Sequence, residues 1–257
     1  MLPALFNDVT LLITHYNRSC SVKRLLETLQ NQNIRFAATI IADDGSQRQH
    51  VQRLQSLAPV YGFQLVTSEQ NYGLGHNLNK GQAHVQTALT LYVQEDFLPT
   101  AKFSKALLDS VEFMRTDEQI DLVRFFSNFQ YPYTKPYKHD FSYLYIPPFA
   151  LDYQKIYLYS DNPHLRRSNF LDKFGRYRED LPGDRTEYRM CISFIQKHGK
   201  ALLHNDFHGI FKHINTTEEP STMTRVAWRQ HSSPLLSLAR DIYRQLKYNY
   251  DITFSKR

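Results

Sequence analysis

Three clusters of hydroxyl and carboxylate side chains stand out in the first part of the chain: residues 14–17 (THYN), Asp43-Asp44-Gly45-Ser46, and Glu95-Asp96. Carboxylates grouped in this way can accept hydrogen bonds from sugar hydroxyls or base N–H groups, or hold a hard divalent cation through oxygen. An Asp-Asp-Gly-Ser run also suits an ordinary turn and helix cap. A cap, however, needs one carboxylate, and two adjacent ones repel. Further on, Asp180, Asp184 and Glu187 crowd into REDLPGDRTE, and His204, His208 and His213 into HNDFHGIFKH. Neutral imidazole ligates metals, and imidazolium binds phosphate. The histidine spacings of four and five match no zinc pattern, and neither Cys20 nor Cys191 joins them.

The elements that must hold these groups are legible from periodicity. Residues 9–14 (VTLLIT), 38–42 (ATIIA), 63–67 and 89–93 have the apolar, β-branched character of buried strands. Between them, Val22, Leu25, Leu26 and Leu29 recur at helical spacing, and residues 48–57 and 74–86 are helix-compatible. Strands alternating with helices predict βαβ crossovers, hence an α/β domain with a Rossmann-like, mostly parallel sheet and helices on both faces. Ligands of such sheets lie outside the carboxyl ends of the strands. All three clusters fall there, so they form one site. Between residues 131 and 159 lie eight of the 17 tyrosines with Pro132, Pro136, Pro147 and Pro148. This stretch reads either as extended segments packed on the sheet or as an acceptor-side wall suited to stacking on sugar rings. A helical pattern returns over 186–197 and stops at Gly199.

The chain has 257 residues, 42% of them apolar and 22% charged, which excludes disordered and fibrous classes. No apolar run reaches the roughly 18 residues of a spanning helix, and the N-terminus shows no export signal. Two cysteines are too few for a disulfide framework, so a reducing cytoplasm is expected. The net charge is +6, and residues 225–257 hold seven basic and two acidic side chains, nearly all of that excess. The charge is thus not spread along a binding face, and no nucleic-acid partner is expected. After Pro234, Leu235, Leu238, Ala239, Ile242 and Leu246 recur at helical spacing, with Arg240, Arg244 and Lys247 on other faces. This C-terminal helix either docks on the domain or attaches peripherally to an anionic membrane face.

Taken in order, LLITHYNR, IIADDGS, NYGLGHNLNKG and LYVQEDFLP resemble the family 2 glycosyltransferases of the GT-A fold. The resemblance implies an inverting enzyme of polysaccharide biosynthesis. It would take a nucleoside-diphosphate-sugar donor, a carbohydrate or lipid-linked acceptor, and Mn²⁺ or Mg²⁺. Residues 1–224 would form the catalytic domain, with a donor half over 1–100 and an acceptor half over 101–224, and 225–257 the basic tail. By the same resemblance Thr14 and Tyr16 line the base pocket, and Asp44 with Asp43 binds the nucleoside. Gly73 and Gly75 let the backbone approach the donor, and Asn79 follows on the next helix. Asp96 takes the metal, with Glu95 assisting or binding ribose, and His213 or His208 stands near metal and diphosphate. The family's Asp-x-Asp is incomplete, since Val93 occupies the place of its first Asp. For the general base, Glu187 lies twelve residues before Gly199, the usual spacing, with Asp184 and Asp180 as alternatives. An acid in a first helical turn also favours the helix dipole alone. Two other readings are open. A sugar nucleotidyltransferase would want a Gly-rich basic loop where THYNRS stands, and a catalytically degenerate nucleotide-sugar binder would account for Val93.

Overall fold

The computed structural model describes residues 4–214, 219 and 234–255, with the backbone alone for 234–239. Strands β1 (Ala4–His15), β2 (Ile34–Asp43), β3 (Gln64–Val66) and β4 (Leu89–Gln94) alternate with helices α1 (Ser19–Asn31), α2 (Arg48–Tyr61) and α3 (Leu74–Gln82). The β4 strand is followed by β5 (Phe97–Pro99), α4 (Phe103–Thr116), β6 (Leu122–Arg124), β7 (Thr134–Pro136) and β8 (Phe141–Leu144). A 3-10 turn (Tyr153–Leu158) then leads to β9 (His164–Arg167), α5 (Phe170–Phe174), α6 (Gly183–Gln196), β10 (Ala201–His204), β11 (Phe211–His213) and α7 (Pro234–Phe254).

Nine strands form one sheet in the order β3-β2-β1-β4-β9-β6-β10-β8-β7. Strands β3, β2, β1 and β4 are mutually parallel, as are β6 and β10, while β9 and β8 run against their neighbours. The fold class is therefore the expected mostly parallel α/β sheet. The parallel strands are apolar on both faces: Leu11, Leu12, Ile13, Ile41, Leu91 and Val93 are buried, one set under α1 and α4 and the other under α3 and α6. Helix α1 presents Val22, Leu25, Leu26 and Leu29 to this core, as their spacing requires. Strands β5 and β11 pair as a separate ribbon.

The tyrosine-rich stretch contributes β7 and β8 at one end of the sheet and the 3-10 turn, which packs on α6 and α7. Tyr131 and Tyr159 are core residues, so much of its aromatic content is structural packing. Among the described residues no helix is long and apolar enough to cross a membrane.

Candidate active site

Register assembles the site. His15 pairs with Asp43 across β1 and β2, and Thr14 with Gln94 across β1 and β4, so the three strands end level. The polar turns after them share one edge.

After β1, His15 and Asp43 are fully buried and bonded to each other, Nδ1 to Oδ1, at 2.7 Å. The His15 Nε2 accepts the Arg18 backbone N–H at 3.0 Å, which leaves Nδ1 as the donor to the carboxylate. The Ser46 N–H also donates to Asp43, at 3.2 Å. Burial raises the Asp43 pKa, but the His15 and Ser46 hydrogen bonds outweigh it and hold the group below its ordinary value. Asp43 thus ties the β1 and β2 turns together. Its neighbour Asp44 accepts the Tyr72 N–H at 3.1 Å and the Gly73 N–H at 2.8 Å, fixing the loop before α3. Here burial prevails and the Asp44 pKa is raised. Thr14 is bonded to the Tyr92 hydroxyl at 3.0 Å, and Tyr16 is half-buried.

Gly73 has φ +92°, a backbone open to glycine and strained for other residues. Gly75 lies against the 175–182 loop: a Cβ there would stand 2.1 Å from the Arg178 carbonyl oxygen. Asn79 bonds the same loop at both amide atoms, to Tyr177 O and N at 2.9 Å each, and to Glu179 at 2.7 Å. These two residues therefore join α3 to the chain leading into α6. Gly75→Ala is expected to destabilise the fold by about 1–3 kcal/mol, the usual cost of forcing a contact apart, and chemical denaturation measures it.

Glu95 and Asp96 follow β4. The Asp96 Oδ2 accepts the Arg18 guanidinium at 2.8 Å and bonds His213 Nε2 at 3.0 Å. Its Oδ1 is buried with no partner among the described residues. Burial raises the Asp96 pKa, but His213 and Arg18 together bring it below the ordinary value. Glu95, 3.7 Å from Arg18, is pushed up to about 8 by burial and then by the charge of Asp96. His213 reaches the edge on β11, its ring stacked on Phe97 at 4.8 Å. His208 is exposed in the turn before β11, against Phe126. Arg18, which sequence reasoning gave no role, is almost fully buried and also bonds the Glu219 carbonyl at 3.1 Å. The Glu219 carboxylate accepts the Cys20 and Ser21 N–H groups of the first turn of α1, each at 2.8 Å.

Helix α6 packs beside α3. Glu187, in its second turn, accepts the Ser160 hydroxyl at 2.9 Å and the Asp161 N–H at 3.0 Å. Asp180 is exposed and clamped by Arg178 at 2.5–2.7 Å, and Asp184 is exposed with Oδ1 on the Arg185 N–H. Of the three acids, Glu187 is the one held by the 160–161 turn ahead of β9. Residues 159–163 arrive at this edge because β9 is antiparallel, with His164 level with Tyr92. They bring Asp161, a buried acid absent from the sequence expectations. It bonds the Tyr159 hydroxyl, which meets Tyr177 at 2.5 Å and, through it, Arg166.

Burial, and then the charge of Glu187, push Asp161 up to about 8. An acid with a raised pKa binds its proton more tightly when folded. Its linkage therefore lowers stability as pH rises from its ordinary 3.8 toward about 8. Asp161→Asn is expected to flatten this loss, seen as a smaller decline in melting temperature across that window.

Fold and edge define a GT-A-type glycosyltransferase domain. The chain belongs to glycosyl transferase family 2, whose model matches residues 10–178. No curated protein gives a significant match. Among solved structures, S. aureus TarS 1-349 in complex with UDP-GlcNAc superposes with a TM-score of 0.61 at 14% identity, covering 95% of this chain and 67% of that one. TarS 1-349 alone gives 0.58 at 16% identity over 79% of this chain. The mannosyltransferase PcManGT from Pyrobaculum calidifontis, with GDP-Man and Mn²⁺, gives 0.54 at 14% identity, covering 78% of this chain and 55% of that one. The match spans 59% of TarS 1-349 and 36% of the longer TarS chain.

Proposed function

We propose that the protein transfers a sugar, with inversion, from a nucleoside-diphosphate sugar to a hydroxyl of a glycan or lipid-linked acceptor in polysaccharide assembly. One observation carries this reading: Asp96, a buried carboxylate whose Oδ1 has no partner among the described residues, shares the strand edge with Asp44, and Glu187 is anchored on the 160–161 turn that leads into β9 at that edge. TarS bound to UDP-GlcNAc and PcManGT bound to GDP-Man support a nucleotide-sugar donor on this fold.

In this reading Asp44 and the 14–16 turn receive the nucleoside, and the buried Arg18 guanidinium sets a fixed positive charge beside the diphosphate. The acceptor oxygen attacks the anomeric carbon as the bond to the diphosphate breaks. Glu187 takes the hydroxyl proton, and the nucleoside diphosphate leaves. Ser160 and the Asp161 N–H keep the Glu187 carboxylate aimed while it does so.

A divalent metal fits the donor set in part. Among the described residues no three His, Cys, Asp or Glu side chains are grouped to hold an ion. The unpartnered Asp96 Oδ1 with His213 offers two ligands, with Glu95 beside them, and the diphosphate oxygens would complete the shell. Bound there, Mn²⁺ or Mg²⁺ would neutralise charge on the leaving diphosphate.

Incubation with UDP-GlcNAc or GDP-mannose and Mn²⁺ tests the reading. Release of UDP or GDP supports a transferase, whereas binding with no release at any acceptor or metal would make the protein a nucleotide-sugar binder.

A further inference from the structure

Among its described side chains, residues 240–255, helix α7 is docked by one side. Asp251 takes the Tyr188 hydroxyl, Asn249 bonds the Lys155 ammonium at 2.7 Å, and the backbone carbonyls of Ile252 and Ser255 accept from Gln196 at 3.0 and 2.9 Å. Tyr248 and Ile252 pack on the core behind α6. The opposite side carries Ile242, Tyr243, Leu246, Tyr250 and Phe254, each between 53% and 67% exposed. Four of these recur every four residues, so they form one stripe about 18 Å long at 1.5 Å per residue. Gln245 binds the Ala150 carbonyl at 2.8 Å and so brings the 147–151 loop alongside, with Phe149 92% and Leu151 83% exposed. Large apolar groups left this bare along a helix and its adjoining loop mark an interaction surface.

Charge says what covers it. Between the loop and α7 lies a groove of about 540 Å³ whose lining includes Lys135, Tyr145, Lys155, His198, Lys200 and Asn249 and, among the described residues, no carboxylate. Among the described residues Lys155 forms no ion pair, although it is almost fully buried. Within the described part of α7, Arg240, Arg244 and Lys247 stand against Asp241 and Asp251, a net charge of +1. A second copy of the chain would set like charge against like here. An anionic bilayer surface matches both halves, since its headgroups take the cations and its acyl boundary takes Leu, Ile, Tyr and Phe.

We propose that α7 and the 147–151 loop form an interfacial membrane-docking face, with the apolar stripe seated at the acyl boundary and the lysine-lined groove receiving lipid phosphates. This goes beyond the transferase reading and does not depend on it. The full-length protein is expected to co-sediment with phosphatidylglycerol–phosphatidylcholine vesicles at low salt, less so at high salt, and weakly with phosphatidylcholine alone. Leu246→Glu combined with Tyr250→Glu changes exposed positions only. It should lower partitioning about 10-fold or more while leaving the melting temperature and any nucleotide-induced shift unchanged. Lys135→Gln with Lys200→Gln should weaken binding and reduce its salt dependence. Failure of the wild type to pellet with anionic vesicles at low salt overturns the proposal, as does wild-type pelleting by the double Glu variant. So does a concentration-dependent dimer that the double Glu substitution dissolves while vesicles are ignored, which would assign the face to a second copy.

Discussion

Asp96→Asn is expected to lower turnover by about 10³-fold, the scale of losing a charge that acts on the leaving group in a water-poor site. The amide keeps the side-chain volume and an oxygen for the Arg18 guanidinium, which bonds Asp96 Oδ2 at 2.8 Å, so the fold should survive. The variant loses the anionic oxygen that lies buried without a partner among the described residues. Mn²⁺-dependent affinity for a nucleoside diphosphate should fall with the rate, while metal-free affinity changes little. Unchanged Mn²⁺ dependence, measured by calorimetry, would remove Asp96 from the metal and leave its ion pair with Arg18 as its whole role.

Glu187→Gln is expected to cost about 10²-fold or more in transfer, the range for loss of a general base, with donor binding retained. The Gln carbonyl still accepts from Ser160 and the Asp161 N–H, so geometry is kept and basicity alone is removed. The readout that separates this from a structural effect is the pH profile, whose acidic limb should disappear in the variant. Wild-type transfer by Glu187→Gln would move the role to Asp184 or Asp180. Both would first have to leave the exposed positions they hold at the start of α6 and on Arg178.

Residues 1–100 were largely legible because β1, β4 and the end of β2 are buried on both faces and α1 carries a clean apolar stripe. Such segments announce themselves by composition, and their polar ends follow from the parallel sheet. Helix α6 starts at Gly183 rather than at 186, since the sequence signal began only with its apolar face. Asp161 escaped notice because an alternating βα pattern carries no sign of an antiparallel β9, and it is that reversal which brings residues 159–163 to the edge. Arg18 lay inside a recognised phrase, but a guanidinium 78 residues from its carboxylate partner is invisible to local spacing.

The C-terminal helix shows a different limit. On the docking alternative, apolar periodicity would bury Ile242 and Leu246 together with Leu235, Leu238 and Ala239, whose side chains lie outside the described residues. In the structure Ile242 and Leu246 face outward, and docking runs instead through Gln245, Tyr248, Asn249, Asp251 and Ile252. Hydrogen bonds to the Ala150 carbonyl and Lys155 decide the orientation, and a count of apolar residues does not register them. Of the two expectations for this helix, docking on the domain is observed over residues 245–255, and membrane attachment stays a proposal.

The central claim is that the edge formed by the ends of β1, β2 and β4 binds a nucleoside diphosphate with a divalent cation. Thermal denaturation of the wild type with UDP, GDP, dTDP and CMP compounds, each with and without Mn²⁺, tests it most directly. Binding to the folded state alone raises stability by mass action, about 2.7 kcal/mol at one hundred times the dissociation constant. One nucleoside diphosphate and its sugar should raise the melting temperature, and more so with Mn²⁺ than without. A melting temperature that no nucleotide moves, with or without the metal, would contradict the account.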